Sequence, residues 1–291
     1  MAGELITQPW QAQWGGLLIG TSTAYSIQRL HGWEDLVALD MGEASKPTRP
    51  GSWTAAPRPQ SRIVTMELEF RAGVDEMDAA VAALRAATPR SAAAADAPLV
   101  IRLRGETLVA YGKLADRIIS VDHSYSQALA PAATLQWLCG DPRRYELAER
   151  SVTIVPGSLG SGGLTYPLSY PLTYGTAGAP ANATCTNYGN EPTSPVLTLT
   201  GPLTTPKIIN TTLTRALEFN LDLLAGQTLT VDTDSGAVVL NGTTDRLYTR
   251  TNLSVPVEYF ELDPGSNDIA LLAAAFGTGA QLQVTWQSAY L

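Results

Sequence analysis

The sequence predicts a mainly β protein in two parts, the first carrying one α-helix and the second all strand. Three observations predict this. Val64, Met66, Leu68 and Phe70 alternate with Thr65, Glu67, Glu69 and Arg71, a period of two with one apolar and one polar or charged face. A single stretch, Asp75 to Thr88, spaces Met77, Ala80, Val81, Leu84 and Ala87 for one face of a helix. From Pro195 onward, short apolar runs recur between turn clusters at intervals of about 8–12 residues, the spacing of a sandwich or jelly roll. At 291 residues the chain has room for two cores, at about 150 residues per domain.

In the first part, further strands are expected at Leu99–Arg104, Thr107–Leu114, Arg117–Asp122 and Ala133–Leu138, with a tight turn at Gly105-Glu106. Asp75 is placed to cap the helix, Glu76 and Asp78 suit the positive end of its dipole, and Pro89 ends it. In the second part, strands are expected at Pro195–Thr200, Lys207–Asn210, Ala216–Leu221, Thr228–Asp232, Ala237–Asn241, Val257–Leu262, Asp268–Leu272 and Gln281–Gln287. In the last of these Leu282, Val284 and Trp286 face one way and the intervening Gln and Thr residues the other. Asp263-Pro264-Gly265-Ser266-Asn267 reads as a turn.

Three segments fall outside this pattern. Met41 to Gln60 holds four prolines and two glycines, a composition that excludes regular structure and predicts a long loop. Trp53 at its middle makes the loop a candidate inter-subunit contact, together with Pro50 and Arg49; the bland alternative is a Trp folded back on its own core. Val155–Gly163 is flexible by composition, which sets the expected domains at 1–155 and 156–291. Tyr166, Tyr170 and Tyr174 recur at helical spacing, but Pro167 and Pro171 forbid a regular helix. An extended aromatic arm is expected there, covering a sheet edge of its own domain or reaching a neighbour.

Charge and motif content exclude several function classes. A net charge of −8 argues against gripping nucleic acid through its phosphates, though not against surrounding DNA that slides past. Cys139 and Cys185 form no CxxC pair and read as lone buried thiols. The first residues lack a basic and apolar leader, and the longest apolar run, Ile269 to Phe276, is too short to span a bilayer, so no membrane insertion is expected. His31 and His123 are the only histidines. His123 stands between Asp122 and Ser124, but neighbours on a strand point to opposite faces and cannot form a relay. Asp232-Thr-Asp234-Ser-Gly236 has its glycine one place early for a calcium loop and reads as a hairpin turn. The N-x-S/T triplets at Asn182, Asn210, Asn241 and Asn252 are chance matches in a Thr-rich chain. No catalytic, cofactor-binding or metal-binding residue is expected.

The ordered motifs from Gly163 onward are GGLTYPLSYPLTYG, Gly189-Asn190 leading through Pro195-Val196 into LTLTGP, the AGQTLTVD…VVLNG hairpin, YFELDPGSNDI and the final TWQSAYL. In this order they resemble the C-terminal half of the distal tail proteins of long-tailed bacteriophages, the actinobacterial-phage type. The N-terminal YSIQRLHGWEDL, GEASKPTRPGSW and RIVTMELEF are similar more loosely, and KPTRPGSW stands where the family has a longer charged linker. The resemblance implies a tail-tube-like N-terminal β-sandwich with a flanking helix and a galectin-like C-terminal β-sandwich. It also implies a non-enzymatic protein of the virion tail tip, assembled in the host cytoplasm, whose copies close a ring of six that continues the tail tube. The implied partners are the tail tube, tape measure, tail-tip hub and receptor-binding proteins, with DNA passing through the lumen unbound. A competing reading is a carbohydrate-binding module for host cell-wall glycan, since lectin-like folds stack aromatic rings on sugars; fold alone does not carry such a site. A hydrolase would need two placed carboxylates, and the acids here are scattered.

Overall fold

The computed structural model describes residues 2–89, 95–121, 123–127, 131–158 and 181–291. Tyr166, Tyr170 and Tyr174, and most of the expected joint, lie outside the described residues. The chain divides into two units, Met1–Leu147 with Tyr290–Leu291, and Ala148–Ala289. The strand Arg150–Ile154 pairs with Gln281–Trp286 and so belongs to the second unit.

In the first unit a single path of antiparallel strands runs Leu17–Gly20, Gln11–Trp14, Ala97–Arg102, Thr107–Ile119, Ala132–Cys139, Arg62–Phe70 and Tyr25–His31. The sequence suggested two strands between Thr107 and Asp122; the structure has one. Thr107–Gly112 pairs with Ala97–Arg102, and the same strand continues to pair Lys113–Ile119 with Ala133–Leu138. A bulge between Leu114 and Asp116 shifts the register there, so the strand bends from one layer to the next without needing a turn. Gly105 and Glu106 do form the preceding turn, closed by Leu103 N–H on the Glu106 carbonyl.

The helix spans Met77–Ala87 and follows a short 3-10 turn, Val74–Glu76. Its Met77, Ala80, Val81 and Leu84 are buried against Val64, Met66, Leu68 and Phe70, joining the two periodicities into one core. Asp75 makes no side-chain cap, because the 3-10 turn already occupies the helix entrance. The far end is closed by Thr88, whose N–H and hydroxyl both donate to the Leu84 carbonyl, while Arg117 donates to Thr88 and Arg85. A cation at a helix C-terminus meets the negative end of the dipole.

Among its described residues the second unit is all β in its regular structure apart from short 3-10 turns. One sheet runs Arg150–Ile154, Gln281–Trp286, Val196–Thr200, Thr228–Asp232, Val238–Leu240 and Thr244–Asp245. A second is built on Gly265–Ala273, flanked by Ala181–Asn187 and by Lys207–Asn210 with Arg215–Glu218, and a small third sheet joins Leu203–Thr204 to Asp222–Leu223 and Ala275–Phe276. Leu197, Leu199, Leu229, Val231, Leu282 and Val284 from the first sheet share a core with Ile208, Leu217, Ile269 and Leu271 from the second, which makes the unit a β-sandwich. Each such residue contributes about 1.5–3 kcal/mol by leaving water. Val257–Leu262, expected as a strand, instead starts as a 3-10 turn, Val257–Tyr259, after Pro256 removes a ladder donor.

Candidate assembly surface

The stretch expected to be irregular is a two-rung β-hairpin arm. Its inner rung pairs Leu39 with Pro59 and Asp40 with Arg58, and its outer rung pairs Ala44 with Trp53 and Ser45 with Ser52. Gln60 N–H to Ala38, Ala55 N–H to Met41 and Lys46 N–H to Gly51 tie the two sides between and beyond the rungs. The prolines do not prevent this because of where they fall. Pro47 and Pro50 lie in the tip, Pro57 lies between the rungs, and beside Pro59 the cross-strand bond is made by Gln60. From Met41 to Gln60 every residue but Lys46 and Ser52 is exposed.

Trp53 is 59% exposed, so the alternative in which it folds into its own core does not describe it. It borders a cleft of about 300 Å³ with Lys46, Pro47, Thr48 and Arg49. Pro50 is exposed at the turn beside them. Thus the three residues singled out from sequence stand together at the arm's tip. An isolated two-stranded hairpin is marginal in water, and this one ends in an exposed apolar ring.

The arm's root is built very differently. Arg62, the first residue after the arm in the main sheet, is only 1% exposed. Its Nη1 donates to the carbonyls of Gly32, Trp33 and Asp35 at 2.6, 3.0 and 3.1 Å, and its Nε donates to Pro142 at 2.7 Å. These first three acceptors immediately precede the arm, so one guanidinium clamps both strands of its base. Arg144 adds an ion pair to Glu34 at 2.6 Å and lies over the buried Trp33 ring at 5.7 Å. Burial and then the nearby Arg144 pull the Arg62 pKa below its ordinary value, the cost of setting two cations in one low-dielectric place. Gly32 has φ of +76°, and a Cβ there would lie 1.8 Å from the Ile63 carbonyl, so the chain can turn into the arm only through glycine.

Nothing in the sequence reading pointed to Arg62, yet the signal was there. Carrying the alternation of Val64, Met66, Leu68 and Phe70 one step back places Arg62 on the buried face, where it is found.

The opposite face of the same strand is open. Glu67 and Glu69 flank a shallow trough of about 400 Å³ whose other borders include Gln28, Ala132 and Thr134. Gln28 Nε2 donates to Glu69 at 2.6 Å, Arg71 lies 3.6 Å from Glu69, and His31 lies 3.8 Å from Glu67.

The residues set aside as catalytic or metal candidates stay apart. His31 is on the exposed sheet face, while His123 opens a single helical turn, His123–Ser126, rather than ending a strand. Asp232 accepts hydrogen bonds from the Asp234 and Ser235 N–H groups and from the Ser235 hydroxyl, and its strand forms a hairpin with Val238–Leu240. Among the described residues no group of three His, Cys, Asp or Glu gathers to hold a metal.

Both cysteines are free and buried. Burial pushes the Cys139 thiol up to about 11 and Cys185 to about 12. The unfolded thiols ionise near 9, so this contribution to stability is present below that pH and is lost as pH rises through the folded values. Ellman's reagent at pH 8 is expected to find no reactive thiol in the native protein and two after denaturation; rapid native labelling would show that one of the two units opens readily.

Residues 188–290 match the family described as siphovirus-type tail component, C-terminal domain. The crystal structure of SPP1 Dit (gp 19.1), described as a paradigm of hub adsorption apparatus in Gram-positive infecting phages, matches with a TM-score of 0.64 at 12% identity, over 97% of this chain and 99% of that one. At that identity the likeness is one of fold. The baseplate of phage P2 in its activated conformation with Ca matches with a TM-score of 0.48 at 11% identity, over 94% of this chain and 97% of that one. No curated protein matches the sequence.

Proposed function

We infer, for a chain that its residues 188–290 make a Dit-like component of the siphovirus tail, that its task is to build a ring at the tail tip through the arm. In this reading the first unit closes a ring, six copies in number, that continues the tail tube, and the second unit serves the tip and receptor-binding components. The tape measure and hub proteins are its neighbours, and DNA passes through an acidic assembly that does not hold it. The protein acts as a scaffold and not as an enzyme.

The observation that carries this is the contrast within the hairpin. A base fixed by four hydrogen bonds from one buried arginine supports a tip that is exposed, with Trp53 59% open. Ring closure requires two different faces of each subunit to meet, and a projecting arm supplies one of them.

Deleting Glu43–Pro57 is expected to abolish self-association while leaving circular dichroism and melting of the remainder close to the intact protein, because the segment contributes no core residue. Native mass spectrometry of the two proteins reads the outcome. A shortened chain that still forms the same ring would remove the arm from the mechanism.

The sugar-binding reading has exposed aromatic rings in the second unit, but they are partly taken. Arg150 lies 4.4 Å over the Tyr188 ring, and Arg246 lies 5.8 Å over Tyr248 while donating to its hydroxyl. A sugar stacking on those faces would first have to displace a cation.

A further inference from the structure

We propose that the arm tip of one copy docks into the Glu67–Glu69 trough of a second copy, with Lys46 and Arg49 meeting the two carboxylates and Trp53 lying over Ala132 and Thr134. The proposal rests on the ring reading above and names the surface that receives the arm.

Charge is the first argument. The chain carries a net −8, but from Met41 to Gln60 it has Lys46, Arg49 and Arg58 against Glu43 alone. A basic projection on an acidic protein is directed toward acidic surface, including that of its own copies. Among the described residues neither Lys46, Arg49 nor Arg58 makes an ion pair.

Shape is the second. Trp53 needs a flat, open seat with small side chains beneath it. On the exposed sheet face the row beside Glu67 and Glu69 is Thr134 and Ala132, which leave the trough's roughly 400 Å³ unfilled. Two carboxylates beside a small-residue floor are the counterpart of two cations beside an indole ring, and the incoming cations would share Glu67 with His31 and Glu69 with Gln28 and Arg71. Planar Arg49 can engage a carboxylate through two N–H groups, which fixes orientation as well as charge.

Topology is the third. The arm leaves the sheet at His31 and returns at Arg62, whereas the trough lies at Glu67 and Glu69, further along the same strand. At about 3.3 Å per residue Glu69 is roughly 23 Å from Arg62, while the arm's other root, His31, lies 3.8 Å from Glu67; it is the tip, not the root, that stands apart from the trough. No hydrogen bond or ion pair joins tip and trough within the chain among the described residues. Tip and trough are therefore two different patches, and a contact between them in separate copies is of the head-to-tail kind that closes rings.

The test is a charge swap on the full-length chain. Lys46→Glu with Arg49→Glu, and separately Glu67→Lys with Glu69→Lys, should each weaken self-association by about ten-fold or more, because each places like charges together. Combining all four should restore it. Non-reducing electrophoresis of Arg49→Cys with Glu67→Cys should give a ladder of covalent multimers, since the native Cys139 and Cys185 are buried. Single reversals that associate like the unmodified chain, or a four-fold variant that is not rescued and no ladder, would overturn the docking proposal. If in that case the arm deletion still dissociates the ring, the arm reading survives with a different seat. An unmodified chain that stays monomeric at millimolar concentration would overturn both.

Discussion

Replacing Arg62 by alanine is expected to cost the first unit several kcal/mol, at about 1–3 kcal/mol for each buried polar group left without its partner. The change takes the donor from four carbonyl acceptors, those of Gly32, Trp33, Asp35 and Pro142, of which Trp33 is buried and Gly32 and Pro142 half-buried. It also leaves the side chain of Arg144 with one fewer buried neighbour of like charge, a small relief that does not offset the lost bonds. Lysine should not rescue, because a single ammonium cannot reach in the two directions that Nε and Nη1 take toward Pro142 and the Gly32 segment. Chemical denaturation of alanine and lysine variants measures this directly. An alanine variant within 1 kcal/mol of the parent, on the scale of an ordinary surface change, would mean that the clamp is decorative.

Asn187→Ala should have the largest effect on the second unit, about 3 kcal/mol or more. The Asn187 amide donates to the Glu191 and Leu262 carbonyls at 2.7 and 3.2 Å, and its oxygen accepts from the Gly189 and Ala289 N–H groups at 3.0 and 3.3 Å. One side chain thus joins three separate stretches of chain at a site that is 1% exposed. Asp at this position offers acceptors but no amide donors, so it should fail nearly as badly. Close by, Gly189→Ala is blocked for a steric reason, since a Cβ there would lie 1.7 Å from the Ala289 carbonyl oxygen. Thermal melting of the three variants should rank all of them well below the parent. A melting temperature unchanged in Asn187→Ala would show that water substitutes freely for the amide.

The strands that could be read from the sequence were those whose two faces differ in polarity. Arg62–Phe70, Thr228–Asp232 and Gln281–Trp286 each bury every second residue, so alternation alone locates them. Gln11–Trp14 was not legible, because all four residues are buried and two of them are glutamines. Gln11 and Gln13 spend their amides on the backbone of residues Leu5, Thr7, Gln8, Gly15 and Thr21, a use that no period reveals. The arm was hidden for another reason. Proline content argued for irregular chain, and only the cross-strand register shows each proline at a place where no ladder donor is required. Its tip was nonetheless marked by Trp53, since a large ring among prolines and charges has no local use. The trough was invisible to sequence because Glu67, Glu69 and Thr134 come together only when Ala132–Cys139 pairs with Arg62–Phe70.

The way the chain leaves and re-enters the first unit has a mechanical consequence. The second unit is an insert, entered after Leu147 and left before Tyr290, and Tyr290 packs on the first unit's core. Its one covalent tether to residues 1–147 is the bond after Leu147; at the other end Tyr290 is joined to that unit by packing and strand pairing alone. A backbone break at the first crossing therefore parts residues 1–147 from 148–291 covalently, whereas a break at the second frees only the last two residues.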